Sequence, residues 1–227
     1  MKILINPDIH GRVFWKYSIE HKDEFDKIIF LGDYLDAYSP DLLISEKDNF
    51  KEIIQFKKDN LDKVILLLGN HDCHYINSKI FHSSRYNLFK ANVYHKLFND
   101  NIDLFQLIYI YDKYLFSHAG VYQKWMDLNK LTLKDLLDYD LDKLSKSLNW
   151  IDYFRGGFYD VGSCIWADIR DSGTEKLLKG YYHIFGHTQL KFKVSTSEFS
   201  CLDCRVPFSL DSETGYINKL MDIPTEW

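Results

Sequence analysis

Apolar runs rich in β-branched and aromatic residues recur along the chain and predict a series of short strands. These runs cover residues 2–6, 27–31, 63–68, 107–111, 114–117, 181–185, 199–202 and 216–221. Apolar residues recur at helical spacing around 50–57, across 83–98 and across 130–148, which predicts helices in those segments. Strands that alternate with helices favour a layered α/β fold.

Five of the predicted strands are followed directly by a short motif of polar residues and glycine. The motifs are Asp8-Ile9-His10-Gly11, Gly32-Asp33-Tyr34-Leu35-Asp36, Gly69-Asn70-His71-Asp72, His118-Ala119-Gly120 and Gly186-His187-Thr188. Ligands of α/β sheets bind outside the carboxyl ends of the strands, so we expect the five motifs to meet in one crevice.

The side chains in these motifs are suited to bind divalent metal ions. Carboxylate oxygens, imidazole nitrogens and amide oxygens are ligands for Mn, Fe or Zn ions, and no cysteine occurs in the five motifs. The predicted ligands of a first ion are Asp8, His10 and Asp33. Those of a second ion are Asn70, His118 and His187, and Asp33 bridges the two ions. Two ions about 3.5–4 Å apart are a common arrangement for in-line displacement at phosphorus.

The composition favours one globular domain. The chain has 227 residues, of which 46% are hydrophobic and 27% charged, so we expect a single domain over residues 1–227. The formal net charge of −5 argues against stable binding to nucleic acid or to a membrane, since both favour a basic surface. The aliphatic runs are too short to span a bilayer, and no signal-peptide core follows Lys2, so we expect a cytoplasmic protein. The four cysteines are scattered, which predicts no disulfides.

The five motifs, in this order, resemble those of the calcineurin-like metallophosphoesterase superfamily. Within it they look most like the bacterial and phage-type phosphoprotein phosphatases, and weaker matches follow at residues 164–168 and 199–203. The resemblance implies an α/β fold in four layers (αββα), in which two β-sheets are flanked by helices. It also implies a dinuclear metal centre with the ligands given above, and it makes His71 the general acid, with Asp36 orienting its ring.

The sequence departs from this pattern at the residues that would bind phosphate. Many relatives follow the Asp36 position with an arginine that binds the phosphate group, whereas Ala37-Tyr38 stand here. Arginine binds phosphate through two parallel hydrogen bonds, so one of the five arginines is expected to substitute. Position near a motif ranks Arg12 and Arg170 first and Arg155 third.

The resulting hypothesis is a metal-dependent phosphoesterase that hydrolyses phosphomonoesters and resembles a serine/threonine protein phosphatase. A hydroxide held between two divalent ions, with Mn expected first and Fe or Zn as alternatives, would attack phosphorus while His71 protonates the leaving group. The expected substrate is a phosphorylated protein or a small phosphoester. Gln189, where many nucleases have a second histidine, favours this reading. A nucleotide phosphodiesterase or dinucleoside-polyphosphate hydrolase is the alternative, and a non-catalytic scaffold is a third.

Overall fold

The computed structural model describes residues 1–38, 44–173 and 175–222, and in them eleven strands form two sheets. The strands are β1 Lys2–Asn6, β2 Lys27–Phe30, β3 Val64–Leu67, β4 Phe105–Gln106, β5 Ile108–Tyr111, β6 Tyr114–Ser117, β7 Tyr182–Phe185, β8 Val194–Ser195, β9 Phe199–Cys201, β10 Phe208–Asp211 and β11 Ile217–Lys219. The first sheet has the order β11-β10-β1-β2-β3-β4, and the second has the order β5-β6-β7-β9-β8.

Seven α-helices and several 3-10 turns connect the described strands. The helices are α1 Tyr17–Glu20, α2 Glu46–Asp59, α3 Asn70–Ile76, α4 Leu88–Asn99, α5 Gln123–Asn129, α6 Leu133–Leu137 and α7 Leu141–Leu148. The 3-10 turns are Phe14–Lys16, Lys22–Glu24, Ile102–Leu104, Tyr153–Arg155 and Ile169–Gly173.

The five strands that precede the polar motifs are parallel neighbours. In the first sheet β1 pairs with β2 and β2 with β3, and in the second sheet β6 pairs with β7, all in parallel register. The antiparallel pairs lie further out, where β10 pairs with β1, β5 with β6, and β8 with β9. Parallel neighbours present their carboxyl ends at the same edge, which brings the motifs together as expected.

Alternate residues of the central strands face two different apolar layers. Ile3 and Ile5 of β1 join Phe116 of β6 and Ile184 of β7 in one buried cluster, which lies between the sheets. Leu4, from the opposite face of β1, belongs to a larger cluster that also contains the helix residues listed next. These are Phe50, Ile53, Phe98, Trp125, Leu144 and Leu148. The predicted αββα layering, with two sheets flanked by helices, is confirmed.

Several boundaries differ from the sequence prediction for identifiable local reasons. The helix expected over 83–98 begins only at Leu88, because the Asn87 side chain caps it by accepting from the N–H groups of Phe89 and Lys90. The segment 130–148, predicted as one amphipathic helix or a pair, forms the pair α6 and α7, and Asp140 caps the second. The motif after β3 continues directly into a helix, since α3 begins at Asn70.

The prediction of a single domain over residues 1–227 stays a prediction, and residues 39–43, 174 and 223–227 lie outside the described part. Among the residues that are described, no helix combines the length and the apolar character that crossing a bilayer requires.

Two buried aspartates help to fix the segment that carries Arg155. The Oδ1 atom of Asp152 accepts from the N–H of Arg155 at 2.9 Å, and its Oδ2 accepts from the N–H of Asp168 at 2.8 Å. Asp171 accepts from the N–H of Gly162 at 3.1 Å. Burial, followed by the charge of Asp152, raises the pKa of Asp171 to about 8, so its carboxyl group is mostly protonated at neutral pH.

Asp171→Asn should remove one source of pH-dependent stability. The folded protein keeps the Asp171 proton up to about pH 8, whereas an unfolded chain releases it near 3.8. The free energy of unfolding therefore falls as the pH rises between these two values. Asparagine does not titrate, and its amide N–H replaces the carboxyl O–H of Asp171 as a donor to Asp152. In urea unfolding, we expect the variant to gain more stability relative to wild type at pH 8 than at pH 5. An equal difference at the two pH values would contradict the pKa.

Candidate active site

Eight side chains predicted from the sequence are brought together at the carboxyl ends of the parallel strands. All are at least nine-tenths buried; they are Asp8, His10, Asp33, Asp36, Asn70, His71, His118 and His187. The first sheet supplies those up to His71, and the second sheet supplies His118 and His187. The site therefore lies where the edges of two sheets meet.

Asp33 occupies the centre of this group. Its Oδ2 atom lies 3.4 Å from His10 Nε2 and 3.4 Å from His118 Nε2. His118 Nε2 in turn lies 3.0 Å from Asn70 Oδ1 and 3.0 Å from His187 Nδ1. Among the described residues three sets of donor atoms lie close enough to share an ion: His10, Asp33 and His71; Asp33, His118 and His187; and Asp36, His71 and His74. Asp33 belongs to the first two sets, as a bridging ligand would.

Asp8, which follows β1 of the first sheet, links the two sheets by contacting the backbone of the second sheet just after β7. Both of its carboxylate oxygens accept from the N–H of His187, at 3.0 Å each. Its side chain also lies against Gly186, where a Cβ atom would stand 2.0 Å from Asp8 Oδ1. Gly69 makes room for Asp33 in the same way, since a Cβ atom there would stand 2.1 Å from Asp33 Oδ1. Glycine at these two positions lets the carboxylates sit directly on a neighbouring strand end.

Four site residues adopt a left-handed backbone conformation that is uncommon outside glycine. The φ angles are 43° at His10, 53° at Asp33, 60° at Asp36 and 63° at His187. Such conformations cost about 1–3 kcal/mol each and persist when the surrounding structure enforces them. Here they turn the chain sharply after each strand, so that the side chain is aimed into the crevice.

Hydrogen bonds to the backbone fix which ring nitrogens are available as ligands. His10 Nδ1 is 2.8 Å from the carbonyl oxygen of Leu35, and His118 Nδ1 is 2.8 Å from that of Leu31. A carbonyl only accepts, so both rings carry a proton on Nδ1, and in the neutral form both present a lone pair on Nε2. Those Nε2 atoms face the Asp33 carboxylate. His187 Nε2 is buried and has no hydrogen-bond partner in the described part of the chain.

The pKa values show how strongly this cluster favours a positive charge at its centre. Burial alone would lower the pKa of His118, but the charges of Asp33 and Asp8 outweigh burial and raise it to about 10. For His10, burial dominates and lowers the pKa to about 3. Burial would raise the pKa of Asp33, yet His118 and His71 hold it well below its usual range. A buried carboxylate surrounded by imidazoles is the environment that a divalent cation compensates best.

The chemistry of these donors fits the divalent ions of the sequence prediction. The Nε2 atoms of His10 and His118 both face the Asp33 carboxylate. In a neutral ring this nitrogen is an acceptor, so a cation, either a proton on the ring or a metal ion, has to lie between it and the carboxylate. The Nε2 atom of His187 also has no partner among the described residues. The N–H of His187 donates to Asp8, and His71 lies near Asp33 and His10. The assignment of Asp8 as a ligand stays a prediction.

His71 and Asp36 form a close pair beside the cluster. His71 Nδ1 lies 2.9 Å from Asp36 Oδ2, and the backbone N–H of His71 donates to Asp33 Oδ1 at 2.9 Å. Burial would lower the pKa of His71, but Asp33 and the bond to Asp36 raise it above its ordinary value. A raised pKa keeps the ring protonated nearer to neutral pH, which a proton donor requires.

A small cavity of about 120 Å³ opens above these residues. Arg12 and Arg155 line it together with His10, His71 and His187. A wider depression of about 740 Å³ lies elsewhere, next to Leu137–Asp142, and none of the predicted site residues lines it.

The three candidate arginines occupy different places. Arg12 lines the cavity and donates from Nη1 to the carbonyl of Asp8 at 3.1 Å. Arg155 also lines it, with Nε 2.9 Å from Asp168 Oδ2 and Nη2 donating to Thr188 Oγ1 at 2.9 Å. Arg170 is not among the lining residues; it pairs with Asp168 at 2.7 Å and stacks on Phe154. The geometry thus favours Arg155 over Arg170, the reverse of the sequence ranking.

Sequence reasoning missed several residues that complete the site. The carboxylate of Asp72 accepts from the N–H groups of Asp33, Tyr34 and Gly69, at 2.7–3.0 Å, and so ties the β2 and β3 motifs together. Ser83 accepts from Asn70 Nδ2 at 2.7 Å. Only Asp72 had a sequence signal, since it lies inside a recognised motif, whereas Ser83 comes from a segment that matches no pattern.

The comparisons with known proteins agree with this arrangement. The calcineurin-like phosphoesterase family matches residues 1–190. A protein-tyrosine phosphatase of a psychrophilic Shewanella species has a similar structure, with a TM-score of 0.60 and 16% identity over 97% of this chain and 80% of that one. A protein serine/threonine phosphatase from Saccharomyces cerevisiae gives a TM-score of 0.55 and 13% identity over 99% and 82% of the two chains.

A metallophosphoesterase from Sphaerobacter thermophilus is similar as well, with a TM-score of 0.52 and 11% identity over 97% of this chain and 89% of that one. Identities this low show a shared fold only. No curated protein matches the sequence significantly.

Fold, site and family match define a hydrolase of phosphoester bonds that uses divalent metal ions. The chain belongs to the calcineurin-like phosphoesterase family.

Gly186→Ala should weaken metal binding while leaving the protein folded. Its Cβ atom would stand 2.0 Å from Asp8 Oδ1, so the carboxylate has to move away from its place in the cluster. We expect an affinity loss of about tenfold or more, measured by titration with Mn and by elemental analysis after dialysis.

Gly173→Ala is the matched control, because a Cβ atom there would meet no described residue within 4 Å. It should keep wild-type metal content. Full metal affinity in Gly186→Ala would show that the position of Asp8 does not matter for the ions.

Proposed function

We propose that this enzyme hydrolyses phosphomonoesters, with a phosphorylated protein or a small phosphoester as substrate. The observation that carries the proposal is the composition of the small cavity. Predicted metal ligands line it, as do two arginines and His71, whose ring pairs with Asp36. These are the groups that a phosphate dianion and its leaving oxygen require.

The predicted metal ligands would hold two divalent ions, for which Mn is the first choice to test. Asp8, His10 and Asp33 would bind the first, and His118, His187 and Asn70 would bind the second, with Asp33 shared. Bound ions would neutralise the phosphate charge and activate water as a nucleophile at neutral pH.

His71 is proposed as the general acid. Its Nδ1 proton is engaged by Asp36 at 2.9 Å, which leaves Nε2 to face the cavity that the ring lines. With its pKa raised, the ring holds a proton that it can pass from Nε2 to the leaving oxygen. Asp36 fixes the ring orientation and balances the imidazolium charge, as a carboxylate partner of a catalytic histidine does.

The size and charge of the cavity favour monoesters. About 120 Å³ is well below the roughly 300–1,000 Å³ of pockets that enclose whole drug-sized ligands, so the cavity would take the phosphate group and leave the rest of the substrate outside. Arg12 and Arg155 add positive charge beyond the ions, which a monoester dianion uses better than a diester with one charge. Two structurally similar proteins bear the names of protein phosphatases, which supports a phosphorylated protein as substrate.

Arg155→Ala should raise KM for an aryl phosphomonoester by about 10- to 100-fold, the worth of a hydrogen bond to a charged group. Arg12→Ala should act in the same direction. Arg170→Ala should have a smaller effect, because Arg170 would act only through the Asp168 carboxylate that it shares with Arg155. The measurement is a paired assay with one aryl leaving group, as monoester and as diester, at the same Mn concentration.

Wild type should prefer the monoester, and the Arg155 variant should lose much of that preference. A clear preference of wild type for the diester would replace this proposal with the phosphodiesterase alternative.

His71→Asn should lower kcat by about 10²–10⁴-fold, the usual contribution of a general acid. Poor leaving groups should suffer most, because they depend on protonation, and the metal content should stay that of wild type. Kinetics with a series of aryl phosphates of rising phenol pKa, together with elemental analysis, test both points. Loss of the ions from this variant would instead make His71 a ligand, consistent with its closeness to Asp33 and His10.

A further inference from the structure

A second histidine is buried against the carboxylate of the acid pair. His74 follows His71 by three residues on α3, so the two side chains lie on the same face of the helix. His74 Nε2 is 3.0 Å from Asp36 Oδ2, the oxygen that His71 Nδ1 contacts at 2.9 Å. The ring centroids of the two histidines are 5.7 Å apart. The His74 side chain is fully buried.

The backbone of Ser83 determines where His74 carries its proton. The Ser83 N–H donates to His74 Nδ1 at 3.0 Å. A nitrogen that accepts a hydrogen bond has no proton, so the proton of the neutral ring is on Nε2, the atom next to Asp36. The Nε2–H group of His74 does not meet the geometry of a full hydrogen bond to Asp36 Oδ2, and it has no hydrogen-bond partner among the described residues. Its dipole therefore points positive charge at the carboxylate.

The other oxygen of Asp36 is held from the same helix. Tyr75 donates its hydroxyl to Asp36 Oδ1 at 2.6 Å, and the Tyr75 oxygen accepts from the N–H of Asn87 at 2.9 Å. Asp36 itself is in a left-handed backbone conformation, with φ at 60°. A carboxylate on so constrained a turn depends on α3 to fix its direction.

We propose that His74 is a positioning residue, which holds Asp36 and thereby keeps the His71 ring directed at the leaving oxygen. The inference rests on the proposed role of His71 as the general acid. His74 does not touch the reacting atoms in this scheme; it acts through the carboxylate. Its loss should therefore change how the enzyme responds to leaving groups, as well as how stable it is.

Ser83 makes the positioning role separable from metal binding. Its N–H supports His74, whereas its Oγ accepts from Asn70 Nδ2 at 2.7 Å and so orients a predicted metal ligand. Ser83→Ala removes only the second contact. It should weaken metal binding and keep the wild-type dependence on leaving groups. Changes at His74 should keep metal binding and alter the dependence on leaving groups.

Two amide replacements of His74 differ only in reach. The amide of asparagine occupies the place of Nδ1 and keeps the contact with Ser83, but it cannot reach Asp36. The amide of glutamine extends to the place of Nε2, where its N–H can still donate to Asp36. We expect His74→Asn to lower kcat about tenfold for poor aryl leaving groups and little for good ones, and His74→Gln to recover most of the loss.

His183→Asn is the matched control for replacing a buried histidine elsewhere. His183 is fully buried on β7, and its Nε2 contacts the carbonyl of Leu178 at 2.9 Å. This variant should lose stability, measured by thermal unfolding, with no change in leaving-group dependence.

Nitrogen-15 NMR of the metal-free wild-type protein supplies a readout that needs no catalysis. It should show His74 in the tautomer with the proton on Nε2, and the Nδ1 tautomer would overturn the inference. The inference also fails if His74→Asn keeps the wild-type leaving-group dependence, or if Asn and Gln lose it equally. A wild-type dependence in His71→Asn would instead overturn the proposed acid, whatever the His74 variants do.

Discussion

The whole site depends on two carboxylates that sit directly against the bare backbone of neighbouring strand ends. Asp33 lies on Gly69 within the first sheet, and Asp8 lies on Gly186 of the second sheet. The second contact is reinforced by the N–H of His187, which donates to both oxygens of Asp8. Because one side chain thus joins the edges of both sheets, the motifs of the first sheet and those of the second face a common space.

Burying this many ionisable groups costs free energy unless each is compensated. The protein supplies part of the compensation through backbone donors, such as the N–H of His71 to Asp33 and three N–H groups to Asp72. It supplies the rest through imidazoles, because the charges of Asp33 and Asp8 raise the pKa of His118, so that the metal-free cluster holds a proton there. The same field that makes the metal-free site unfavourable is what would hold divalent ions.

Much of the fold could be predicted from the sequence, because the central strands are buried on both faces and read as unbroken apolar runs. The positions of the site residues followed from the order of motifs after those strands. What could not be predicted depends on tertiary approach. Residues 82–84 come near α3 only in the folded chain, so nothing local marks Ser83 as a partner of Asn70 and His74. Likewise, sequence proximity favoured Arg170, whereas the turn at Asp152 places Arg155 at the cavity.

At the site residues with a left-handed backbone conformation, the residue that favours stability differs from the one that function requires. Glycine would relax the backbone at His10, Asp33, Asp36 or His187, since it adopts positive φ without a steric cost. At each of the four, however, glycine would also delete a side chain on which the chemistry depends. Replacements that make the fold more robust are thus the ones that end activity, and a relative that has lost its catalytic task would be expected to collect glycines at these positions.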